Sequence, residues 1–153
     1  MLHLWTFVHL FFAFSFVGSL VVAEWNGRAA RATDDWHQRA MLWGIVRLSS
    51  RVAGVGALVL VGIFGNLLAH AAGSAMAGVW LRWVNIVWVA GVALMAFVAL
   101  PGANRLAALS AAAAANGSSE GYDRALRRWR IANLLLSLFY LAMLGLMVFR
   151  PAP

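Results

Sequence analysis

Four stretches of the sequence, residues 2–23, 41–71, 79–100 and 130–149, are each apolar for long enough to cross a lipid bilayer as a helix. A helix rises about 1.5 Å per residue, so about 20 residues span the roughly 30 Å hydrocarbon core. Backbone polar groups find no water there, and only helices and closed barrels satisfy them internally. The uninterrupted runs lack the alternation of barrel strands. The implied fold is all-α: an integral membrane four-helix bundle, up-down-up-down, forming a single transmembrane domain. Composition agrees, since 63% of the 153 residues are hydrophobic and 11% charged, against about a quarter charged in soluble domains.

The first span has no basic n-region and is too long for a signal-peptide core, and Val22-Ala23-Glu24-Trp25 is not a small-x-small cleavage site. It is read as a retained helix. All 12 basic residues are arginine, and there is no cysteine; lysine chemistry, disulfides and thiolate metal sites are excluded. Arginine placement orients the bundle. Connection 24–40 holds Arg28, Arg31 and Arg39, with Arg47 and Arg51 just beyond; connection 101–129 holds Arg105, Arg124, Arg127 and Arg128, with Arg130 beside it. Connection 72–78 holds none, and the C-terminal tail has only Arg150. The positive-inside rule puts the two arginine-bearing connections in the cytoplasm and both termini outside, in a bacterial-type inner membrane. The net charge of +7 then reflects topology and contact with anionic lipids, and no nucleic acid partner is expected. Arg47 and Arg51 share a helix face; the expectation is snorkelling to phosphates and pairing with Glu24, Asp34 and Asp35. Arg127 and Arg128 are expected to meet lipid headgroups or other anions.

The second span concentrates small residues, among them Ser50, Ala53, Gly54, Gly56, Ala57, Gly62 and Gly65. Such residues let helices approach closely in lipid, which makes this helix central; the alternative is that the glycines clear space for a flat cofactor. Pro101, with Gly102 and Asn104, is read as a stop to the third helix. The alanine-rich stretch 105–115 is helix-prone, and Asn116-Gly117-Ser118-Ser119 breaks it. Trp5, Trp25, Trp43, Trp80, Trp83 and Trp129 fall near span ends and are read as an aromatic belt. Trp88 alone sits well inside a span.

Polar side chains inside hydrocarbon mark contacts or sites. Measured from the outer ends at about 1.5 Å per residue, His9, Asn66 and Asn85 share a depth of roughly 8–10 Å, with Met143 nearby and Tyr140 deeper. Asn66 and His70 lie four apart, on one face. His9, His70, Asn66, Asn85 and Met143 are therefore expected to converge in an outward-opening pocket. Three readings follow. The residues bridge helices by hydrogen bonds, with His70 wetted at the interface; or His9 is an axial ligand to haem b, with His70 or Met143 opposite; or His9, His70 and one of Met76, Met143 and Met147 hold copper. No Asp or Glu lies within a span, which weighs against a proton relay. His3 and His37 are placed outside this layer. No nucleotide loop, zinc-protease motif or nucleophile elbow occurs.

The run His9-Leu-Phe-Phe-Ala-Phe-Ser-Phe-Val-Gly18 resembles the first-helix signature of the CopD-like superfamily. The ending Leu146-Met147-Val148-Phe149-Arg150-Pro151 resembles the close of an uncharacterised predicted integral-membrane family in that group. The superfamily includes copper-resistance membrane proteins and a haem-using protoporphyrinogen oxidase, so the resemblance implies that His9 is the position of interest. The oxidase depends on a third-helix lysine that this chain lacks, which weighs against that activity. The expected role is a binding or accessory component rather than a self-sufficient enzyme: a haem b or copper protein acting through His9, or else a structural subunit or assembly factor of a larger membrane complex. The expected partners are the bilayer and a membrane protein or second copy.

Overall fold

A computed structural model describes residues 2–73 and 78–149. It contains four long helices: α1 (Leu2–Ala32), α2 (Trp36–Ala71), α3 (Val79–Asn116) and α4 (Tyr122–Val148), each long and apolar enough to cross a membrane. Their order and alternation are those expected from the sequence. Large apolar side chains, including Phe7, Phe14, Phe97 and Leu141, stand exposed on the outer surface, as a bundle solvated by lipid requires. α2 is central. It packs along α1, and its first half lies against the second half of α3, while α4 packs on α3 and meets α1 only sparsely.

The glycines of α2 explain this closeness. A Cβ at Gly62 would lie 1.9 Å from Cε2 of Trp88, and one at Gly54 would lie 2.0 Å from Cε of Met95. Side chains of α3 therefore occupy these gaps. The glycines serve helix packing, each gap being filled by a side chain of the neighbouring helix.

The helices are longer than the spans. With 38 residues, α3 extends about 57 Å, nearly twice the hydrocarbon thickness. Pro101 does not stop it. A π-helical turn at Met95–Ala99 precedes the proline, and the Leu100 N–H donates to the Met95 carbonyl, five residues back. The wider turn absorbs the donor and the space that proline denies an α-helix. Beyond it Ala103, Leu106, Ala107, Ser110 and Ala113 form one buried stripe, at helical spacing. The helix ends at Asn116, where Gly117 adopts φ +70° and donates to the Ala113 carbonyl, a left-handed cap that glycine takes without strain. The breaking signal at 116–119 is thus realised.

Residues 24–40 and 101–129 are accordingly packed helix rather than open connections, except for the short links between helices. Ala30, Trp43, Val46, Leu106, Tyr122 and Trp129 form a core at this arginine-rich end. Trp43 and Trp129, expected in an aromatic belt, are 0% and 1% exposed and meet edge to face at 4.8 Å. The Trp43 indole donates to the Tyr122 hydroxyl at 2.9 Å, so burial leaves its N–H satisfied. Trp25 and Trp83 remain exposed at 75% and 57%, which suits a headgroup layer. At the α1–α2 link, Asp35 caps α2 by accepting from the His37 N–H at 2.8 Å. Arg39 donates through Nε to the Ala30 carbonyl at 2.9 Å and lies 4.1 Å over the Trp36 ring.

The acids do not pair as expected. Glu24 binds Arg28 at 2.7 Å and Arg31 at 3.8 Å. Arg47 and Arg51 are exposed, with no ion pair among the described residues. Helix spacing decides the partner: Arg28 is one turn from Glu24 on the same helix.

Candidate functional site

The polar layer inferred from depth assembles. His9 from α1, Asn66 from α2, Asn85 from α3 and Met143 from α4 line one cavity of about 250 Å³ at the end of the bundle away from most arginines. Met147 lines it too, with Trp80 and Trp88. His9 is 8% exposed. Its Nδ1 lies 3.0 Å from the Val61 carbonyl oxygen of α2. A carbonyl only accepts, so Nδ1 carries a proton, and the neutral form of the ring with this contact has its lone pair on Nε2. Gly65 permits the approach, because a Cβ there would come within 3.0 Å of the His9 ring.

The two asparagines hold one another. Asn66 donates through Nδ2 to Asn85 Oδ1 at 2.8 Å, Asn85 donates back to Asn66 Oδ1 at 3.1 Å, and Asn66 also donates to the Gly62 carbonyl at 2.9 Å. Their amides thus clamp α2 to α3. We expect Asn66→Ala and Asn85→Ala each to lower stability in detergent by about 1 kcal/mol, with a coupling of similar size in the double-mutant cycle. Additive losses would show that the pair does not act as a unit.

His70 does not join the cavity and is exposed. Four residues advance a helix by about 40° beyond a full turn. The cavity-lining face of α2 runs through Val61, Gly65, Ala69 and Ala72, and that advance carries His70 past its edge. His3 is exposed as well. Met76 lies outside the described residues, as do Arg150 and Pro151 of the closing motif. Among the described residues, no group of three or more His, Asp or Glu side chains is placed to hold a metal. Any ion would therefore rely on His9 and thioether sulfur.

The hydrogen bond from His9 to a neighbouring helix is one of the expected readings, and its acceptor is the Val61 carbonyl. Two contacts were not anticipated from the sequence. Trp88 donates from Nε1 to the Leu58 carbonyl at 2.7 Å, and Trp80 to the Leu146 carbonyl at 2.6 Å. Trp88 carried a usable signal: an indole N–H deep in hydrocarbon needs an acceptor, and an adjacent helix rich in glycine exposes its carbonyls.

A family model described as a predicted integral membrane protein, DUF2269, matches residues 3–151. No curated protein and no solved structure is matched by the chain.

Proposed function

The chain belongs to the DUF2269 family of predicted integral membrane proteins, and from that premise we propose that it binds copper as Cu(I) through His9, Met143 and Met147 near the outer face of a bacterial-type inner membrane. The observation that carries this reading is that one buried imidazole and two thioethers line the same cavity, while the Val61 carbonyl holds the imidazole proton on Nδ1. A carbonyl behind a ligating histidine is the usual outer-shell arrangement at metal sites. Thioether and imidazole donors without carboxylates suit a soft monovalent ion. The residues present therefore fit copper. A tetrapyrrole is disfavoured by size: about 250 Å³ lies below the roughly 300–1,000 Å³ of sites for drug-sized ligands. The CopD-like resemblance of the first helix adds to the copper reading. The orientation, with both termini outside, rests on the arginines gathered at the opposite end of the bundle.

Purified protein under reducing conditions should hold about one Cu(I) per chain against a chromophoric chelator. His9→Gln keeps a donor for the Val61 carbonyl but removes the ring nitrogen, and should abolish binding; Met143→Leu with Met147→Leu should weaken it at least roughly tenfold. Copper retention by His9→Gln equal to that of the wild type would overturn the assignment. A Soret band lost in His9→Gln would assign the same ligand to haem b instead.

A second reading has its own observation: His9, Asn66 and Asn85 already make interhelical hydrogen bonds. This supports an accessory or assembly subunit without a cofactor. A metal-free, colourless preparation that co-purifies stoichiometrically with another membrane protein would favour it.

A further inference from the structure

The sparse contact between α1 and α4 leaves a lateral groove of about 850 Å³ on the lipid-facing side. Two bridges set its floor. Asn133 donates from Nδ2 to Glu24 Oε2 at 3.3 Å, and the rings of Phe16 and Tyr140 meet at 6.3 Å. The groove is chemically graded along its length. Val17, Val21, Leu134 and Leu141 line its apolar part, while Arg127 and Arg130 stand with Arg28 and Glu24 at the arginine-rich end. From residue 131 to 141 the apolar part measures about 15 Å, the depth of one leaflet of a roughly 30 Å core.

Charge decides what this groove suits. Glu24 is neutralised by Arg28. Arg127 and Arg130 are exposed and form no ion pair among the described residues. Two guanidinium groups thus crown a largely apolar groove whose one lining carboxylate, Glu24, is already paired with Arg28. Arginine binds phosphate through paired N–H donors. A zwitterionic headgroup would bring its cation into the same positive field.

We infer that the α1/α4 groove is a binding site for one anionic phospholipid, its phosphate held by Arg127 and Arg130 and the upper part of an acyl chain lying along Val17, Val21 and Leu134. This is a built site for a single lipid, beyond the general attraction of a basic surface to a charged leaflet. It is independent of the copper reading, and neither result bears on the other.

The test uses the full chain in nanodiscs of dioleoyl phosphatidylcholine containing a minor fraction of dioleoyl phosphatidylglycerol, released into detergent for native mass spectrometry. The wild type should carry one phosphatidylglycerol in clear preference to phosphatidylcholine. Arg127→Gln with Arg130→Gln should reduce that preference by roughly 10- to 30-fold. Val21→Trp with Leu134→Trp, which fills the groove and keeps the arginines, should reduce it as well. Arg105→Gln with Arg124→Gln alters a shallow basic pocket elsewhere and should leave it intact. Equal losses in the two arginine-pair variants, with the tryptophan pair unaffected, would mean diffuse charge attraction and overturn the site. Displacement of the lipid by an equal concentration of glycerol phosphate would show that the acyl contacts contribute nothing, and would also overturn it. So would a dimer that persists in Arg127→Gln/Arg130→Gln and excludes lipid, because a second copy would then be the occupant.

Discussion

Gly62→Ala should lower the stability of the bundle by about 2 kcal/mol or more, although the same exchange normally stabilises a helix by up to about 1 kcal/mol. The added methyl would sit 1.9 Å from one atom of the Trp88 ring and 2.4 Å from its Nε1. No rotamer adjustment at residue 62 relieves this, since Cβ is fixed by the backbone. The indole must move, and with it the hydrogen bond to Leu58, whose loss leaves an N–H unsatisfied in hydrocarbon and adds about 1 kcal/mol or more. Gly44 and Gly145 have nothing within 4 Å of the same position. Gly44→Ala and Gly145→Ala should therefore be neutral or stabilising. The sign difference separates packing from propensity, and unfolding titrations in mixed detergent micelles measure it. A Gly62→Ala protein as stable as Gly145→Ala would show that the indole does not fill this gap.

Depth explains why much of the candidate site could be read before any fold was known. A bilayer supplies an external coordinate, so a residue's distance from the end of its span predicts which residues on other helices share its layer. That argument brought His9, Asn66, Asn85 and Met143 to one level, and the structure gathers them around one cavity. Depth carries no azimuth. His70 satisfied the spacing to Asn66 yet falls past the edge of the cavity face, a difference of about 40° that only packing fixes.

The arginine-rich end was legible in a different measure. Pro101 and Gly102 carry ordinary stop signals, and both have other work in α3. The π turn at Met95–Ala99 accommodates the proline, and Gly102 admits Trp129, whose Cδ1 would lie 3.3 Å from a Cβ there. The competing signal was present. Ala103, Leu106, Ala107, Ser110 and Ala113 repeat at helical spacing, and a stripe of that length indicates a packed helix whatever precedes it. The tryptophans show the same ambiguity. Their distance from the span ends suits a belt, but Trp43 and Trp129 face each other across helices, and a one-dimensional position does not distinguish the lipid side from the core side.

Trp129→Ala should be the most damaging single truncation in the molecule, costing about 3–5 kcal/mol. From α4 this one ring reaches all three other helices. It lies 3.0 Å from a Cβ position at Gly27 of α1, 3.3 Å from one at Gly102 of α3, and edge-on to Trp43 of α2 at 4.8 Å. Both glycines face the ring with no side chain to collapse inward, so its removal leaves a cavity rather than a repacked core. Trp43 then loses its aromatic partner while keeping its bond to Tyr122. The damage should be local. Met143 lies fourteen residues along α4, about 21 Å away, and the Asn66–Asn85 clamp stands at that far end. Hydrogen exchange should therefore accelerate across residues 24–32, 36–46 and 103–116, while residues 57–71 keep their protection. Trp129→Phe retains part of the ring and should fall between alanine and wild type. Uniform loss of protection along all four helices would instead mean that the bundle unfolds as one cooperative unit, with the arginine-rich core and the His9 layer inseparable.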